Sequence, residues 1–159
     1  MKKLLSLLVL SMFVLVILSG CGKGAEGKLV GKTFSIQVDG EIPGKYTFKD
    51  NGLLEIKDNS TNLSGSASYE FEEVDGKEYV VFWNRPDGER ILGKSVALKE
   101  SKDLFKDYWF YDEDSNTLKA LDNSGTKFID NHGYLKDKKY LKNLKFEDDK
   151  YHIKLIEEN

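Results

Sequence analysis

Ala67-Ser68-Tyr69-Glu70-Phe71-Glu72-Glu73-Val74-Asp75-Gly76-Lys77-Glu78-Tyr79-Val80-Val81-Phe82-Trp83 is the stretch that decides how this chain folds. Ala67, Tyr69 and Phe71 alternate with polar residues, the period-two pattern of a strand with one face buried. Asp75-Gly76 is a two-residue hairpin signal, because both residues tolerate the positive φ that such a turn demands. On the return strand, which the sequence carries to Asn84, Tyr79, Val81 and Trp83 take one face while Val80 and Phe82 take the other. That strand is expected to be covered on both sides.

The same rhythm extends outward in both directions. Towards the N-terminus, Phe34, Ile36 and Val38 alternate in one strand and Tyr46 and Phe48 in the next, with Asp39-Gly40 to Pro43-Gly44 between them. Asp50-Asn51-Gly52 turns the chain into Leu54 and Ile56, and Asp58 to Ser66 reads as a polar loop. Towards the C-terminus, Pro86-Asp87-Gly88 is a type I turn in prospect and Ile91 to Leu98 a strand weakened by Gly93. Ser101 to Lys106 suits one helical turn, and Tyr108 to Tyr111 is a short strand apolar on both faces. Leu118 to Leu121 and Thr126 to Ile129 follow, each after a turn, while Tyr134 to Leu141 fits helix or loop equally. Lys142 to Phe146 and Tyr151 to Ile156 close the chain as a hairpin around Asp148-Asp149. Short strands at this spacing, with turn chemistry between them and no βαβ rhythm, predict an all-β domain. The expected architecture is a small antiparallel β-barrel or sandwich of about 8–10 strands over residues 31–159.

The first residues have a different character. Lys2 and Lys3 precede an apolar run from Leu4 to Leu18, which ends in Leu18-Ser19-Gly20-Cys21. Fifteen residues is short of the roughly 20 that span a bilayer, and basic, apolar and small-residue regions in this order make an export signal. Leu18-Ser19-Gly20-Cys21 resembles the lipobox of bacterial lipoproteins at all four positions. The resemblance implies a cleaved signal helix over residues 1–20 and acylation of Cys21, which becomes the mature N-terminus. It also implies anchoring to the cell membrane on its extracytoplasmic face. Residues 21–30, with the small and polar Gly22 to Lys28, read as the lipidated cysteine and a flexible tether.

Removal of residues 1–20 takes two lysines and no acid from the chain's 24 basic and 27 acidic residues, so the mature chain carries −5. No basic stripe is present for nucleic acid. The basic residues left are Lys apart from Arg85 and Arg90, a bias of AT-rich genomes that, with the lipobox, points to a Gram-positive bacterium. Cys21 is the only cysteine, which excludes an internal disulfide and a thiolate metal site. Packing has to hold the domain together, and nineteen aromatic residues supply the area.

Catalytic groups are sparse. His132 and His152 are the only histidines, and neither belongs to a nucleophile elbow or a zinc-binding helix motif. His152 alternates with Tyr151 and Ile153 and is expected on the solvent face. Asp112-x-Asp114-x-Asn116 opens like a calcium loop, but Thr117 and Asn123 stand where glycine and glutamate belong. No metal, cofactor or catalytic residue is therefore expected. The candidate ligand-binding residues are Trp83, Arg85, Arg90, Tyr108, Trp109 and Phe110. Arg85 and Arg90 share one segment beside Trp83, and the planar guanidinium recognises oxyanions and stacks on rings. A surface turn with an Arg85–Glu89 pair is the simpler reading of that segment. Tyr108 to Phe110 suit either a core or the mouth of a ligand pocket.

Leu29-Val30-Gly31-Lys32-Thr33-Phe34 and the Phe-Lys-Asp-Asn-Gly hairpin at 48–52 faintly resemble the start of lipocalin-like bacterial lipoproteins, although Thr33 stands where those carry Trp. The resemblance implies an up-and-down barrel whose interior is lined by Phe34, Phe48, Tyr69, Trp83 and Phe110. The expected function is non-enzymatic binding of a small apolar or amphipathic ligand inside a membrane-anchored barrel. The alternative is a surface immunity or inhibitor lipoprotein that binds a peptide, toxin or envelope protein through its outer face.

Overall fold

The computed structural model describes residues 24–62, 64–83, 96–99, 105–122, 127–132 and 134–158. Among them, the strands are β1 (Thr33–Val38), β2 (Glu41–Phe48), β3 (Leu53–Asp58), β4 (Ser64–Val74), β5 (Lys77–Trp83) and β6 (Val96–Lys99). They continue as β7 (Phe105–Asp112), β8 (Thr117–Lys119), β9 (Leu121–Asp122), β10 (Lys145–Phe146) and β11 (Ile153–Glu157). One short helix, α1 (Ala25–Leu29), precedes them.

The chain is all-β, and its sheet closes on itself. β1 to β5 run as an antiparallel meander, each strand paired with the next. β5 pairs with β7, β7 with β8, β8 with β11 and β11 with β1, giving an eight-stranded antiparallel barrel. Tyr108 faces Val81 on one side and Val96 on the other, whereas Phe110 faces Tyr79 and Lys119. β6 and β8 thus share one edge of β7, and β6 leaves the barrel where β8 joins it. Both Asp-Gly hairpins, Asp39-Gly40 and Asp75-Gly76, have positive φ at both residues, as their turn type requires.

Alternation sorts the side chains. Phe34, Ile36, Tyr46, Phe48, Leu54, Ala67, Tyr69, Val80, Phe82, Trp109, Tyr111, Leu118, Ile153 and Leu155 point inward and are buried. Phe34, Phe48, Tyr69 and Phe71 form a continuous edge-to-face row, with successive ring centroids 5.9, 5.1 and 5.4 Å apart. Each such contact adds about 0.5–1.5 kcal/mol beyond the area it buries. The ring of eight strands is just wide enough for this filling. At Gly44 the neighbouring strand approaches so closely that a Cβ would lie 2.3 Å from the Lys57 carbonyl oxygen.

A second core lies outside the wall. Tyr79, Val81 and Tyr108, on the outer faces of β5 and β7, pack against Leu121, Leu135, Leu141 and Leu144. The segment that carries the last three crosses the wall through the 3-10 helix Lys138–Asn143, which Asp137 caps by accepting from the Lys139 N–H. Coverage of β5 on both faces agrees with its sequence pattern.

Several expectations are corrected. Residues 25–30 are not a tether: α1 buries Ala25 and Leu29 completely in the barrel core, so the folded domain starts before residue 31. The two residues are one turn apart on a single helix face, which suits them to plug a barrel end. The Ala25 N–H donates to Glu78 Oε2 at 2.9 Å, and Gly31 N–H reaches the Phe48 carbonyl at 2.7 Å. Trp83 and Phe110 are not interior, because the inward register of β5 and β7 belongs to Val80, Phe82, Trp109 and Tyr111. Lys142 to Ile156 is not one hairpin: β10 pairs with β9, and β11 pairs with β1 and β8. Of the strand expected over 126–129, the described residues 127–129 form only an isolated bridge between Ile129 and Leu135. β4 starts at Ser64, inside the expected polar loop. Lys106, expected in a helical turn, belongs to β7. The signal segment, Cys21, the Pro86-Asp87-Gly88 turn, Arg85 and Arg90 lie outside the described residues.

Candidate functional site

Antiparallel alternation gives the barrel two ends and two outer faces. The lower end carries α1, the hairpins at 49–52, 75–76 and 113–116, and the end of β11. The upper end carries the Asp39-Gly40 hairpin, the β3–β4 connection, and the starts of β7 and β11. Of the outer faces, that of β5 and β7 is covered by the second core. Among the described residues, the outer face of β1 to β3 and of the start of β4 is open.

On that open face the register sets out two cross-strand rows. One runs Ser35, Lys45, Lys57, Ser64; the other runs Thr33, Thr47, Glu55, Ser66. Short hydroxyl side chains between long lysines leave a groove of about 620 Å³, lined by Thr33, Lys45, Thr47, Glu55, Ile56, Lys57, Ser64, Gly65 and Ser66. Thr33 and Thr47 hydroxyls bond to each other at 2.9 Å. Lys45 is ion-paired with Glu158, whose other oxygen accepts from Ser35 Oγ at 2.6 Å. Bonds from Lys45 first and Ser35 second hold the Glu158 carboxyl below its usual range. Lys49 neutralises Glu55 at 3.1 Å.

Of the expected site residues, the described ones, Trp83, Tyr108, Trp109 and Phe110, are not brought together. Trp83 is half-buried on the outer wall, with the Lys106 ammonium 5.4 Å from its ring centre. Lys106 also pairs with Glu70 and, at 3.6 Å, with Glu72, which pairs in turn with Lys138 at 3.1 Å. Burial works to raise the Glu72 carboxyl, but the bond from Lys138 and the charges of Lys138 and Lys106 hold it low. Tyr108 is buried in the second core, its hydroxyl 3.3 Å from Glu72. Trp109 is buried inside the barrel, and Phe110 stacks outside on Phe146 at 5.2 Å. One aromatic run thus serves two cores.

The other sequence candidates are engaged locally. Asp112 pairs with Lys119 at 2.6 Å, and Asn116 accepts from the Tyr111 hydroxyl and donates to the Leu155 carbonyl. The calcium-like spacing is thereby a hairpin tip. His132 is exposed, 3.9 Å from Asp130. His152 is not on the solvent face: its side chain is 11 % exposed, with Nδ1 3.3 Å from Asp149. It leaves the turn Asp149–Tyr151 one residue before β11, so strand alternation does not apply to it.

No family model matches the chain, and no curated protein matches it. A solved structure does. The crystal structure of a DUF4909 family protein from Staphylococcus aureus aligns with a TM-score of 0.60. The alignment covers 82 % of this chain and 97 % of that one, at 17 % sequence identity. The likeness is one of fold. The groove itself went unread in the sequence, because its residues come from four strands and meet only through the register. The sequence signal for it was the polar half of each alternation: Thr33 and Ser35, Lys45 and Thr47, Glu55 and Lys57, Ser64 and Ser66.

Proposed function

We propose that this chain is a non-enzymatic extracytoplasmic lipoprotein, acylated at Cys21, that binds a partner through the groove on the outer face of β1 to β4. The partner is a peptide, toxin or envelope component, in the manner of an immunity or inhibitor protein. The observation that carries this choice is the filled interior: Phe34, Phe48, Tyr69 and Trp109 occupy the space that a carrier's ligand would need. The open face offers hydroxyls and ammoniums that no other element covers among the described residues. Because β1 to β4 are paired on both edges, a partner meets side chains there and cannot add a strand.

Two variants test the two halves of this reading. Cys21→Ala is expected to leave the precursor uncleaved and without acyl label; normal processing and labelling would sink the anchor. Thr47→Trp fills the groove from outside and leaves the interior untouched. Full chain in neutral detergent, mixed with an insoluble cell-envelope preparation, is expected to co-sediment at least five-fold more than Thr47→Trp. Equal sedimentation would remove the groove from the function.

One observation favours a second reading, a small ligand inside the barrel. Trp109 Nε1 is buried with no hydrogen-bond partner among the described residues, and a buried donor left unpaired costs about 1–3 kcal/mol. A ligand oxygen would satisfy it. Native mass spectrometry decides the matter: a co-purified small molecule, absent from Trp109→Phe, would establish this reading.

A further inference from the structure

The row Ser35, Lys45, Lys57, Ser64 is a hydroxyl, two ammoniums and a hydroxyl, side by side across β1 to β4. Like charges directly opposite on a sheet are destabilising, so the Lys45–Lys57 juxtaposition works against the fold unless anions answer it. The chain answers half of it. The Glu158 carboxylate takes the Lys45 ammonium on one oxygen and the Ser35 hydroxyl on the other. Lys57 and Ser64 repeat the same two groups on the other half of the row. Neither side chain makes an ion pair or a hydrogen bond with any described residue. The nearby Glu55 is held by Lys49. Lys45 and Lys57 line the groove with one carboxylate, Glu55, and the pairs Lys45–Glu158 and Lys49–Glu55 leave the Lys57 ammonium unanswered among the described residues.

We propose that Lys57 and Ser64 form an oxyanion subsite, which takes a carboxylate or phosphate group of the groove's ligand as Lys45 and Ser35 take Glu158. The inference rests on the groove being the binding surface. A charge-assisted bond from the ammonium and a neutral bond from the hydroxyl reach two oxygens of one group. Lysine suits either anion, since its ammonium is a compact point charge without the planar fork of arginine. Lys57 is exposed, so the contact is expected to weaken with added salt.

Amide NMR of the full chain in neutral detergent tests the subsite, with inorganic phosphate and acetate titrated separately against chloride at matched ionic strength. The expected result is saturable shifts at Lys57, Ser64 and Ser66 with at least one oxyanion and none with chloride. Lys57→Gln is expected to weaken that binding at least five-fold, while Lys145→Gln, an exposed lysine elsewhere, leaves it unchanged. Response to phosphate alone, acetate alone or both identifies the group. Shifts equal to those in chloride, or unchanged in Lys57→Gln, would overturn the proposal. Sedimentation of Lys57→Gln and Thr47→Trp with envelope separates the two claims. If Thr47→Trp loses the partner while no oxyanion binds, the groove stands and the subsite falls; if both tests fail, both fall.

Discussion

Trp83 and Trp109 show how much the side of a strand decides. Trp109 is fully buried among the rings of the barrel, and Trp109→Ala is expected to cost about 3–5 kcal/mol. Trp83 sits half-buried on the outer wall under the Lys106 ammonium, and Trp83→Ala is expected to cost about 1–2 kcal/mol, part of it the cation–π contact. Urea midpoints of the two variants check the order; equal losses would mean that Trp83 is core. Both residues were visible in the sequence as strand aromatics. Their separation was not, since a run of four aromatics carries no sign of which face is inside. A second residue-scale prediction concerns pH. Burial first, and then the charges of Glu113, Glu78 and Asp112, push the Tyr111 phenol up to about 12 from its ordinary value of 10.0. The folded chain therefore keeps a proton that the unfolded chain releases. This contribution to stability is complete below about pH 10 and is lost as pH rises towards about 12. Tyr69 and Tyr79 are shifted in the same direction, also by burial first. The urea midpoint is expected to fall across that window, and less steeply in Tyr111→Phe. An unchanged slope in the variant would remove Tyr111 as a source.

Elements whose chemistry is local were legible; elements made by contact were not. Asp39-Gly40 and Asp75-Gly76 announce hairpins because the turn is determined by two residues, and both hairpins are present with the expected φ values. α1 is the opposite case. Ala25-Glu26-Gly27-Lys28-Leu29 has too few residues to be helical alone, and Gly27, after Gly22 and Gly24, reads as part of a linker. It exists because Leu29 and Ala25 fill the lower mouth of the barrel, with Glu78 accepting from the Ala25 N–H and Glu113 pairing with Lys28 at 3.2 Å. The covering segment was hidden for the same reason, since Leu135, Leu141 and Leu144 find their partners on β5 and β7. Leu29→Ala is expected to destabilise the domain by about 2–5 kcal/mol, the cost of a cavity at a fully buried site. A helix held only as a linker would lose nearly nothing. Thermal or urea unfolding distinguishes the two. Hydrogen exchange adds a local readout, since faster exchange at Val30 and Gly31, ahead of β1, would show the plug loosening before the barrel.

At the scale of the molecule, docking of α1 turns the proposed lipid anchor into an orientation. Between Cys21 and Ala25 lie three residues, and the four steps reach at most about 14 Å at roughly 3.3–3.6 Å each. If Cys21 is acylated as proposed, the anchor would leave directly from the plugged lower end, and that end would face the bilayer. β2, eight residues long, covers about 27 Å along the strand, or about 20 Å along the axis once a barrel tilt near 40° is allowed. In that orientation hairpin 113–116 would stand close to the headgroups, the Asp39-Gly40 end would stand a barrel length away, and the groove of β1 to β4 would open sideways within reach of envelope components. The proposed acylation also makes the test clean, because it blocks the only cysteine. A fluorophore attached at Asp114→Cys, in full chain carried on vesicles with quencher-bearing headgroups, is expected to be quenched at least three-fold more than one at Glu41→Cys. Both positions are exposed, so neither label perturbs the core. A flexible tether would let the domain tumble and bring both labels to the surface equally often. Equal quenching would therefore mean that α1 leaves its socket in the anchored protein, and it would free the groove from any fixed direction. Leu29→Ala supplies the internal control: if the plug sets the orientation, loosening it is expected to move the two labels towards equal quenching while the barrel remains folded.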